Sequence, residues 1–468
     1  MMIKQHYTFL FPLIIGAFLR FFRIRENIYF DGELGHNYLA IKNFISAGII
    51  PLIGPPTSHT WLSFGPLYYW IFGPILALGG YEPIIGSYFF ALIGIVTICV
   101  NFYVVKKLFD EKTAFFSSFL AAVSPSWLFL TRQARFFSLI LPLSYLYLLF
   151  LTYSISKNTR YLFWTGIILG IMLNFHFSPL ILIPGTILVL YFYRSSFSLK
   201  NYAQGCLGVF IPNIPLLLYD FFHGFTMTRQ LILWIPYRIF GFVGLYPKNT
   251  ADQTIISGNI SSLFTFISNS FLAIQGITLI SMIIGSALLL FLILRSRFIS
   301  KSSAEKKVWH VILALSVIGY IGIFLHGNPP YHYYLPLYPF PILFASLALV
   351  YLWKKYKLIT ITLLGVLAVT NLLFYFSEKW FFIPQIKQVN STVPYSMQNS
   401  IVQTIINDVD GKKFSLKRVG PLDQFEGNYA QNYQYLLWLS GNEPVPKAQI
   451  EYTIFELEES VTVKKTYE

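Results

Sequence analysis

Residues 84–105 read IIGSYFFALIGIVTICVNFYVV, and this stretch contains no charged side chain. A helix of about 20 apolar residues spans the hydrocarbon core of a bilayer. Comparable stretches recur from Thr8 to Phe376. Because lipid offers no hydrogen-bond partner to the backbone, such spans must be helical. The sequence therefore predicts an all-α polytopic membrane protein.

Apolar windows of this length predict about eleven transmembrane helices. They lie at residues 8–23, 84–105, 113–131, 136–155, 161–177, 179–194, 201–222, 264–294, 308–326, 331–352 and 358–376. The segment 64–80 is also apolar, but it is interrupted by Gly65, Pro66 and the pair Gly79-Gly80. We predict an interfacial or re-entrant element there that does not cross the membrane.

The charge distribution predicts the topology. The 468 residues carry a formal net charge of +14, but only 12% of them are charged and 55% are hydrophobic. Lys and Arg cluster in short loops that alternate along the chain, as the positive-inside bias requires. This distribution predicts a multi-pass plasma-membrane protein with a cytoplasmic N-terminus. The positive charge is explained by this topology and by contact with anionic membrane lipids, so no nucleic-acid partner is predicted.

The composition changes after Phe376. Residues 377–468 are polar and contain no spanning segment. A strand-like run begins at Tyr452, and a helix-like run extends from Asn432 to Leu439. The prediction is a membrane domain at 1–376, whose first outer loop is 24–83, followed by a small extracytoplasmic α/β domain at 377–468.

The motif Phe30-Asp31-Gly32-Glu33 follows the first predicted helix. More than half of the 20 acidic residues lie after residue 377, so a carboxylate beside a lipid-facing segment needs a reason. Asp31 is the candidate general base for a hydroxyl group, and Glu33 is the candidate orienting or binding partner. The alternative is that Asp31 is an ordinary N-cap of the next helix.

Two arginines, Arg132 and Arg135, lie on the predicted outer side, against the topological bias. Three residues apart at a helix start, their guanidinium groups could converge on one phosphate. The alternative is a solvated helix end. Arg20 and Arg23 are also on the outer side, where the alternative is snorkelling to the interface.

Further candidates for binding a phosphate, a lipid or a sugar lie in outer turns rich in aromatic residues. Their alternatives are a structural histidine and the aromatic belt of the membrane interface. These candidates are His59, Tyr68, Tyr69, His176, His332 and Tyr333. No metal-ligand or disulfide pattern is present, since both cysteines fall in apolar spans, and no cofactor or metal is predicted.

These motifs together resemble the GT-C glycosyltransferases. The order is the acidic motif at 30–33, then Gly54-Pro-Pro-Thr-Ser, Gly65-Pro-Leu-Tyr-Tyr-Trp70, Ser124-Pro and Arg135-Phe-Phe-Ser. More narrowly, the chain is similar to glycosyltransferase family 39, the dolichyl-phosphate-mannose-protein mannosyltransferase-like proteins. The resemblance covers about residues 8–376 and is strongest over the first 150.

The resemblance implies inverting transfer of a sugar from a polyprenyl-phosphate carrier to a hydroxyl of a protein, lipid or cell-surface glycan at the outer face. It gives Asp31 the role of base and maps the family's basic residue onto Arg135. Two departures weaken the match. Phe64-Gly65 stands where relatives often have Lys-Pro, and no second acidic residue lies near Ser138.

The chemistry agrees with these residues, since a polyprenyl phosphate leaves without a general acid and the reaction needs a base and cations. The alternative function is a polytopic transporter or a lipid or glycan flippase. Such a protein would place ionisable groups at mid-span, often in two similar halves. Here the charges gather at helix ends.

Overall fold

A computed structural model describes residues 2–245, 253–272, 283, 285, 287, 303–327, 329–377, 393–420, 430–456 and 461–467. Its α-helices are α1 (Met2–Phe21), α2 (Gly32–Ala47), α3 (Leu67–Leu78), α4 (Ile84–Leu108), α5 (Glu111–Ala122), α6 (Pro125–Arg132), α7 (Ile140–Ser156), α8 (Tyr161–Phe175), α9 (Leu182–Phe192), α10 (Leu199–Phe210), α11 (Ile214–Phe222), α12 (Thr226–Phe242), α13 (Gln253–Asn269), α14 (Ser303–Phe324), α15 (Pro339–Lys355), α16 (Lys357–Tyr375), α17 (Tyr395–Val409) and α18 (Gln431–Leu439). Its strands are β1 (Phe414–Val419), β2 (Ile450–Glu456) and β3 (Val461–Tyr467).

The helical membrane fold predicted from the sequence is confirmed. Among the described residues, five helical segments are long and apolar enough to cross a membrane, or up to seven if each bent helix pair is one span. The five are Ile84–Leu108, Phe136–Ser156, Leu199–Phe222, Glu305–Phe324 and Lys357–Tyr375. Shorter apolar helices occupy Phe9–Phe21, Leu67–Leu78, Tyr161–Phe175 and Ser178–Phe192. The count of eleven stays a prediction.

The predicted span at 113–131 is a broken helix. Asp110 caps α5 by accepting a hydrogen bond from the backbone N–H of Thr113 at 2.8 Å. Ser124 ends this segment and caps α6, whose first residue is Pro125. Because proline has no N–H and fixes its own φ, it suits a helix start and interrupts a continuing one. The two helices meet at a bend of 57°.

The structure differs from the sequence prediction between α11 and α14. No helix was predicted between the spans 201–222 and 264–294, but the described residues of this interval form α12 and the first part of α13. Polar and apolar residues are mixed along α12, and apolar side chains such as Ile232 and Leu233 are exposed. The hydropathy of this segment is therefore lower than that of a membrane span. Most of the predicted span 264–294 lies outside the described residues.

The apolar segment at 64–80 contains α3, which has 12 residues. At 1.5 Å per residue this helix is about 18 Å long, shorter than the roughly 30 Å hydrocarbon core. It packs against α2 and α4. By its length, α3 does not cross the membrane alone.

The small C-terminal domain contains one sheet in the order β1-β2-β3. β1 pairs with β2 in parallel, and β2 pairs with β3 in antiparallel. Parallel neighbours need a crossover, and α18 lies between them in the chain. The predicted strand at Tyr452 and the predicted helix at Asn432 are therefore β2 and α18. The boundary at residue 377 lies at the edge of the described residues and stays a prediction.

Candidate active site

Asp31 caps α2. Its backbone is extended, with φ −128° and ψ 179°, and its Oδ1 accepts a hydrogen bond from the backbone N–H of Leu34 at 3.0 Å. The structural alternative raised by the sequence is therefore present in the molecule. The cap uses one carboxylate oxygen, however, and leaves Oδ2 available for other contacts.

Asp31 Oδ2 receives two further hydrogen bonds. Arg135 donates from Nη2 at 2.6 Å, and the Tyr29 hydroxyl donates at 3.1 Å. Arg135 Nη2 also donates to the Tyr29 oxygen at 2.8 Å, and the guanidinium lies 5.1 Å from the centre of the Tyr29 ring. Tyr29 thus belongs to the site although the sequence analysis missed it. Its signal was an aromatic residue two positions before the acid.

Glu33 binds the other arm of the same guanidinium, through Arg135 Nη1 and Glu33 Oε2. One planar fork therefore bridges two carboxylates, which is the geometry that arginine forms best. The Arg135 side chain is 10% exposed, Asp31 is 24% exposed and Glu33 is 42% exposed. Asp31 is the more enclosed carboxylate, and Glu33 is the one that solvent or a ligand reaches more easily.

The electrostatic balance of this cluster is negative. Two carboxylates share one guanidinium, so the ionised cluster has one more negative than positive charge. Desolvation raises the pKa of Glu33, and the neighbouring Asp31 charge adds to this effect while Arg135 opposes it. Glu33 therefore accepts a proton more readily than an ordinary glutamate does.

Arg132 does not join this cluster. Its Nη1 donates to three carbonyls at the C-terminal end of α1, those of Leu19, Arg20 and Phe22, at 2.9–3.0 Å. The structure therefore does not place the guanidinium groups of Arg132 and Arg135 side by side, as their predicted convergence on one phosphate requires.

The two arginines separate because α6 ends at Arg132. Ala134 adopts a left-handed backbone conformation with φ 54°, which turns the chain before Arg135. Residues three apart share a face only while the helix continues. Arg20 is likewise buried, and it donates to the carbonyls of Gly16 and Ala122.

The histidine candidates lie beside Arg135. The His332 ring stacks on Phe137, with centroids 5.0 Å apart, and Arg135 acts electrostatically on His332. His176 lies 5.0 Å from both His332 and Tyr333. The structure thus brings the rings of His176, His332 and Tyr333 together in one cluster, which contacts Phe137 just after Arg135.

His59 lies in a separate aromatic group. Its ring stacks on Trp61 at 5.5 Å and meets Trp234 of α12 edge-on at 5.6 Å. Trp234 in turn lies 6.2 Å from His326, which contacts Tyr333. Desolvation and the charge of Arg238 lower the pKa of His59. Through these rings, His59 is connected to the histidine cluster without touching the carboxylates.

Tyr68 and Tyr69 do not face the outside. Tyr68 is fully buried and stacks on Phe72, while the Tyr69 hydroxyl donates to Asn37 Oδ1 at 2.9 Å. Tyr69 therefore packs α3 against α2, the helix that begins at the acidic motif, whereas the Tyr68 ring contacts Phe90 of α4 and Phe136. The exposed side chains of α3 include Trp70, at 38% exposure.

Position 64 is occupied by an apolar ring. Phe64 is 6% exposed, and its ring lies 5.3 Å from that of His176 and 5.5 Å from that of Phe136. The next residue, Gly65, is close to Asn174, since a Cβ built on it would lie 1.8 Å from Asn174 Oδ1. The place where relatives often have Lys-Pro is thus filled by packing that holds no cation.

A metal site is not evident in the described part of the chain. No three His, Cys, Asp or Glu side chains there lie close enough together to hold an ion.

Solved structures share this fold over nearly the whole chain. ArnT from Cupriavidus metallidurans bound to undecaprenyl phosphate has a TM-score of 0.62 and 12% identity, covering 96% of this chain and 92% of that one. The oligosaccharyltransferase of Archaeoglobus fulgidus, in complex with zinc and sulfate, has a TM-score of 0.55 and 14% identity, covering 93% of this chain and 62% of that one. The chain therefore has the fold of the GT-C membrane glycosyltransferases.

The sequence adds a narrower likeness. Residues 62–219 match the family model described as dolichyl-phosphate-mannose-protein mannosyltransferase. No curated protein sequence matches the chain. The resemblance predicted from the motifs is confirmed: the chain has the GT-C fold, and residues 62–219 are similar to these mannosyltransferases.

Proposed function

We propose that this protein is a membrane glycosyltransferase that moves a sugar from a polyprenyl-phosphate donor to a hydroxyl acceptor, with inversion and with Asp31 as the base. One observation carries the assignment: Asp31 is held by Arg135, Tyr29 and the N-terminus of α2, yet 24% of its side chain stays exposed. A base needs this combination of fixed geometry and access.

The reaction follows from these contacts. Asp31 takes the proton of the acceptor hydroxyl, and the acceptor oxygen attacks the anomeric carbon from the side opposite the phosphate. The bond between that carbon and the phosphate oxygen breaks, and the electron pair leaves with the phosphate. Because a phosphate is already a good leaving group, no acid has to protonate it, and attack from the opposite side inverts the anomeric centre.

Arg135 has two roles in this scheme. It keeps Asp31 oriented by a short charge-assisted hydrogen bond, and it is proposed to bind the phosphate of the donor. Since its other arm is bound to Glu33, the donor phosphate reaches the guanidinium by displacing Glu33, the more exposed carboxylate. The aromatic and histidine cluster around His176, His332 and Tyr333 lies beside this position and is proposed to contact the donor.

The donor class is supported by the similar ArnT structure, whose bound ligand is undecaprenyl phosphate. The acceptor is a hydroxyl of a protein, a lipid or a cell-surface glycan. No metal or other cofactor is part of the proposal. The transporter alternative is not favoured, because the comparisons lead to glycosyltransferases and the acidic cluster lies at a helix start.

The proposed location is the plasma membrane, with the N-terminus in the cytoplasm and both the acidic motif and the C-terminal domain outside. The loop charges support this orientation. Cysteines introduced at Lys106 and at Ser400 test it by labelling with a membrane-impermeant reagent. We expect label at position 400 alone; the reverse pattern contradicts an outer-face site.

The base assignment is tested with purified Asp31→Asn protein and synthetic polyprenyl-phosphate sugars. We expect kcat to fall at least about 1,000-fold, since positioned proton transfer contributes roughly 100- to 10,000-fold. Near-normal turnover by a folded variant would disprove it.

Asp110→Asn is a matched control. Asp110 caps α5 through Thr113 just as Asp31 caps α2 through Leu34, and asparagine is a good N-cap. The control removes the same charge from the same kind of position and should leave transfer unchanged.

A further inference from the structure

The C-terminal domain lies directly against the helix that carries the acidic motif. α18 packs along α2, and their backbones approach closely at Gly35. A Cβ built on Gly35 would lie 2.3 Å from the backbone nitrogen of Asn432. Only glycine permits this approach, so the first turns of α2 are shaped to receive α18.

One side chain of this domain binds the residue before the proposed base. Gln398 of α17 donates from Nε2 to the backbone carbonyl of Phe30 at 2.7 Å, and Nε2 also donates to the carbonyl of Val393 at 2.8 Å. Its Oε1 accepts a hydrogen bond from Asn432 Nδ2 at 2.9 Å. Gln398 is 1% exposed and Asn432 is 4% exposed.

This network fixes the orientation of the Gln398 amide. The reverse orientation would place the amide oxygen against two carbonyl oxygens and an NH₂ group against another NH₂ group. A buried polar group that loses its partner costs free energy. Both the Nε2 and the Oε1 atoms of Gln398 are therefore held by their partners. The Phe30 carbonyl is consequently bound by a buried amide of the C-terminal domain whose orientation is fixed.

The Phe30 side chain is held by the same domain. Its ring is 1% exposed and lies 5.6 Å from Tyr38 of α2, 5.7 Å from Tyr435 of α18 and 6.3 Å from Tyr395 of α17. Tyr435 also donates to the carbonyl of Tyr81, at 2.5 Å. Both the carbonyl and the ring of Phe30 are therefore fixed from the C-terminal domain.

We propose that Gln398 is a positioning residue, through which the C-terminal domain sets the backbone before Asp31 and so aims the base. The proposal rests on the proposed function, because it assigns a role relative to Asp31. Gln398 touches no reacting atom. The domain is then part of the catalytic unit rather than an attachment to it.

The test is Gln398→Glu in the full-length protein. Glutamate keeps the size of the side chain and can still accept from Asn432, but it presents an oxygen to the carbonyls of Phe30 and Val393. We expect kcat to fall about 10- to 100-fold, since a displacement of about 1 Å at a reacting group costs up to roughly 100-fold. The KM for the donor should stay within a factor of about two, because uniform binding is untouched.

A second contact between α2 and the C-terminal domain serves as control. Lys42 of α2 pairs with Glu443 at 3.0 Å, away from the motif. Lys42→Met weakens domain docking without touching the Phe30 carbonyl, and it should leave kcat unchanged. An equal loss in Lys42→Met would mean that docking in general matters, and it would overturn the role of Gln398.

A double-mutant cycle with Asp31→Asn separates positioning from general damage. If Gln398 acts through Asp31, the glutamate substitution costs little once the base is gone, so the two effects are not additive. Additive effects overturn the proposal. Should Gln398→Glu fail to fold, Asn432→Ala is the second variant, since it removes only the donor to Gln398 Oε1. It should lower kcat several-fold in the protein that retains Asp31 and have no further effect in Asp31→Asn.

The outcomes distinguish the two proposals. Full activity of Asp31→Asn would contradict the assignment of Asp31 as the base, and with it the positioning role of Gln398. Inactive Asp31→Asn together with a fully active Gln398→Glu removes the positioning role alone and leaves the proposed function in place.

Discussion

Arg132 and Arg135 are three residues apart, but they lie in two regions of the molecule that use a guanidinium differently. Arg132 is 1% exposed and donates to backbone carbonyls at the end of α1. Arg135, whose side chain is 10% exposed, binds the partly exposed carboxylates of Asp31 and Glu33. The first region is a helix terminus satisfied by a side chain, and the second is a charged cluster whose two carboxylates are partly exposed.

This difference shows that a buried cation is not by itself evidence of a binding site. The last carbonyls of a helix have no partners within it, and a buried terminus must find donors elsewhere. Arg132 supplies them from α6. The partners of an arginine, rather than its position relative to the membrane, separate the structural residue from the candidate functional one.

Of the substitutions that test this contrast, Arg135→Met has the largest expected effect. Two carboxylates would then face each other without their shared cation, and Asp31 would lose its donor at 2.6 Å. We expect kcat for sugar transfer to fall at least about 100-fold, the scale of losing one preorganised charge-assisted donor. The melting temperature in detergent should change little, because Asp31 and Glu33 are partly solvated. A variant with normal kcat would contradict the role of Arg135.

Arg132→Met is the matched substitution and should show the opposite pattern. It removes the donor to the carbonyls of Leu19, Arg20 and Phe22, and each buried acceptor left without a partner costs about 1–3 kcal/mol. We expect a clearly lower melting temperature and a kcat close to wild type in the protein that remains folded. If transfer fell as steeply as in Arg135→Met at full stability, the contrast between the two arginines would be wrong.

The smallest effect concerns Glu33 and sharpens the description of the second region. The pKa of Glu33 is raised, so lowering the pH protonates Glu33 before an ordinary glutamate and releases one arm of Arg135. The donor phosphodiester keeps its charge in this range. We therefore expect the donor KM to fall as the pH decreases through the pKa of Glu33.

Glu33→Gln should give the low KM at all pH values and remove this dependence. Steady-state measurements of the wild type and the variant across the same pH range check both points. A KM that rises with acidification in the wild type, or an unchanged pH dependence in the variant, would show that Glu33 does not compete with the donor.

Hydropathy predicted the helical part of the fold because apolar length is a local property of the sequence. The segment at 84–105 became α4, and the alternating run at Tyr452 became β2. Helix α12 and the first part of α13 were missed because their mixture of polar and apolar residues is typical of a loop between spans. The acidic motif was recognised from the scarcity of carboxylates and from the resemblance, and the structure adds that Asp31 is both a cap and a member of an ion-pair cluster.

The rest of the site depended on contacts that sequence distance hides. The divergence of Arg132 and Arg135 follows from the end of α6 and from the left-handed backbone of Ala134, neither of which the i, i+3 spacing reports. The burial of Tyr68 follows from its packing against Phe90 of α4 and Phe136. The contact of Gln398 with Phe30 joins residues 368 positions apart.

That last contact has a consequence for biosynthesis. Residue 30 is synthesised before residue 398, which follows only after the helices from α3 to α16 have been made. The backbone before Asp31 thus receives its amide partner late, when the C-terminal domain has formed and docked on α2. A nascent chain that has not yet reached residue 398 would carry the acidic motif without the amide partner of the Phe30 carbonyl.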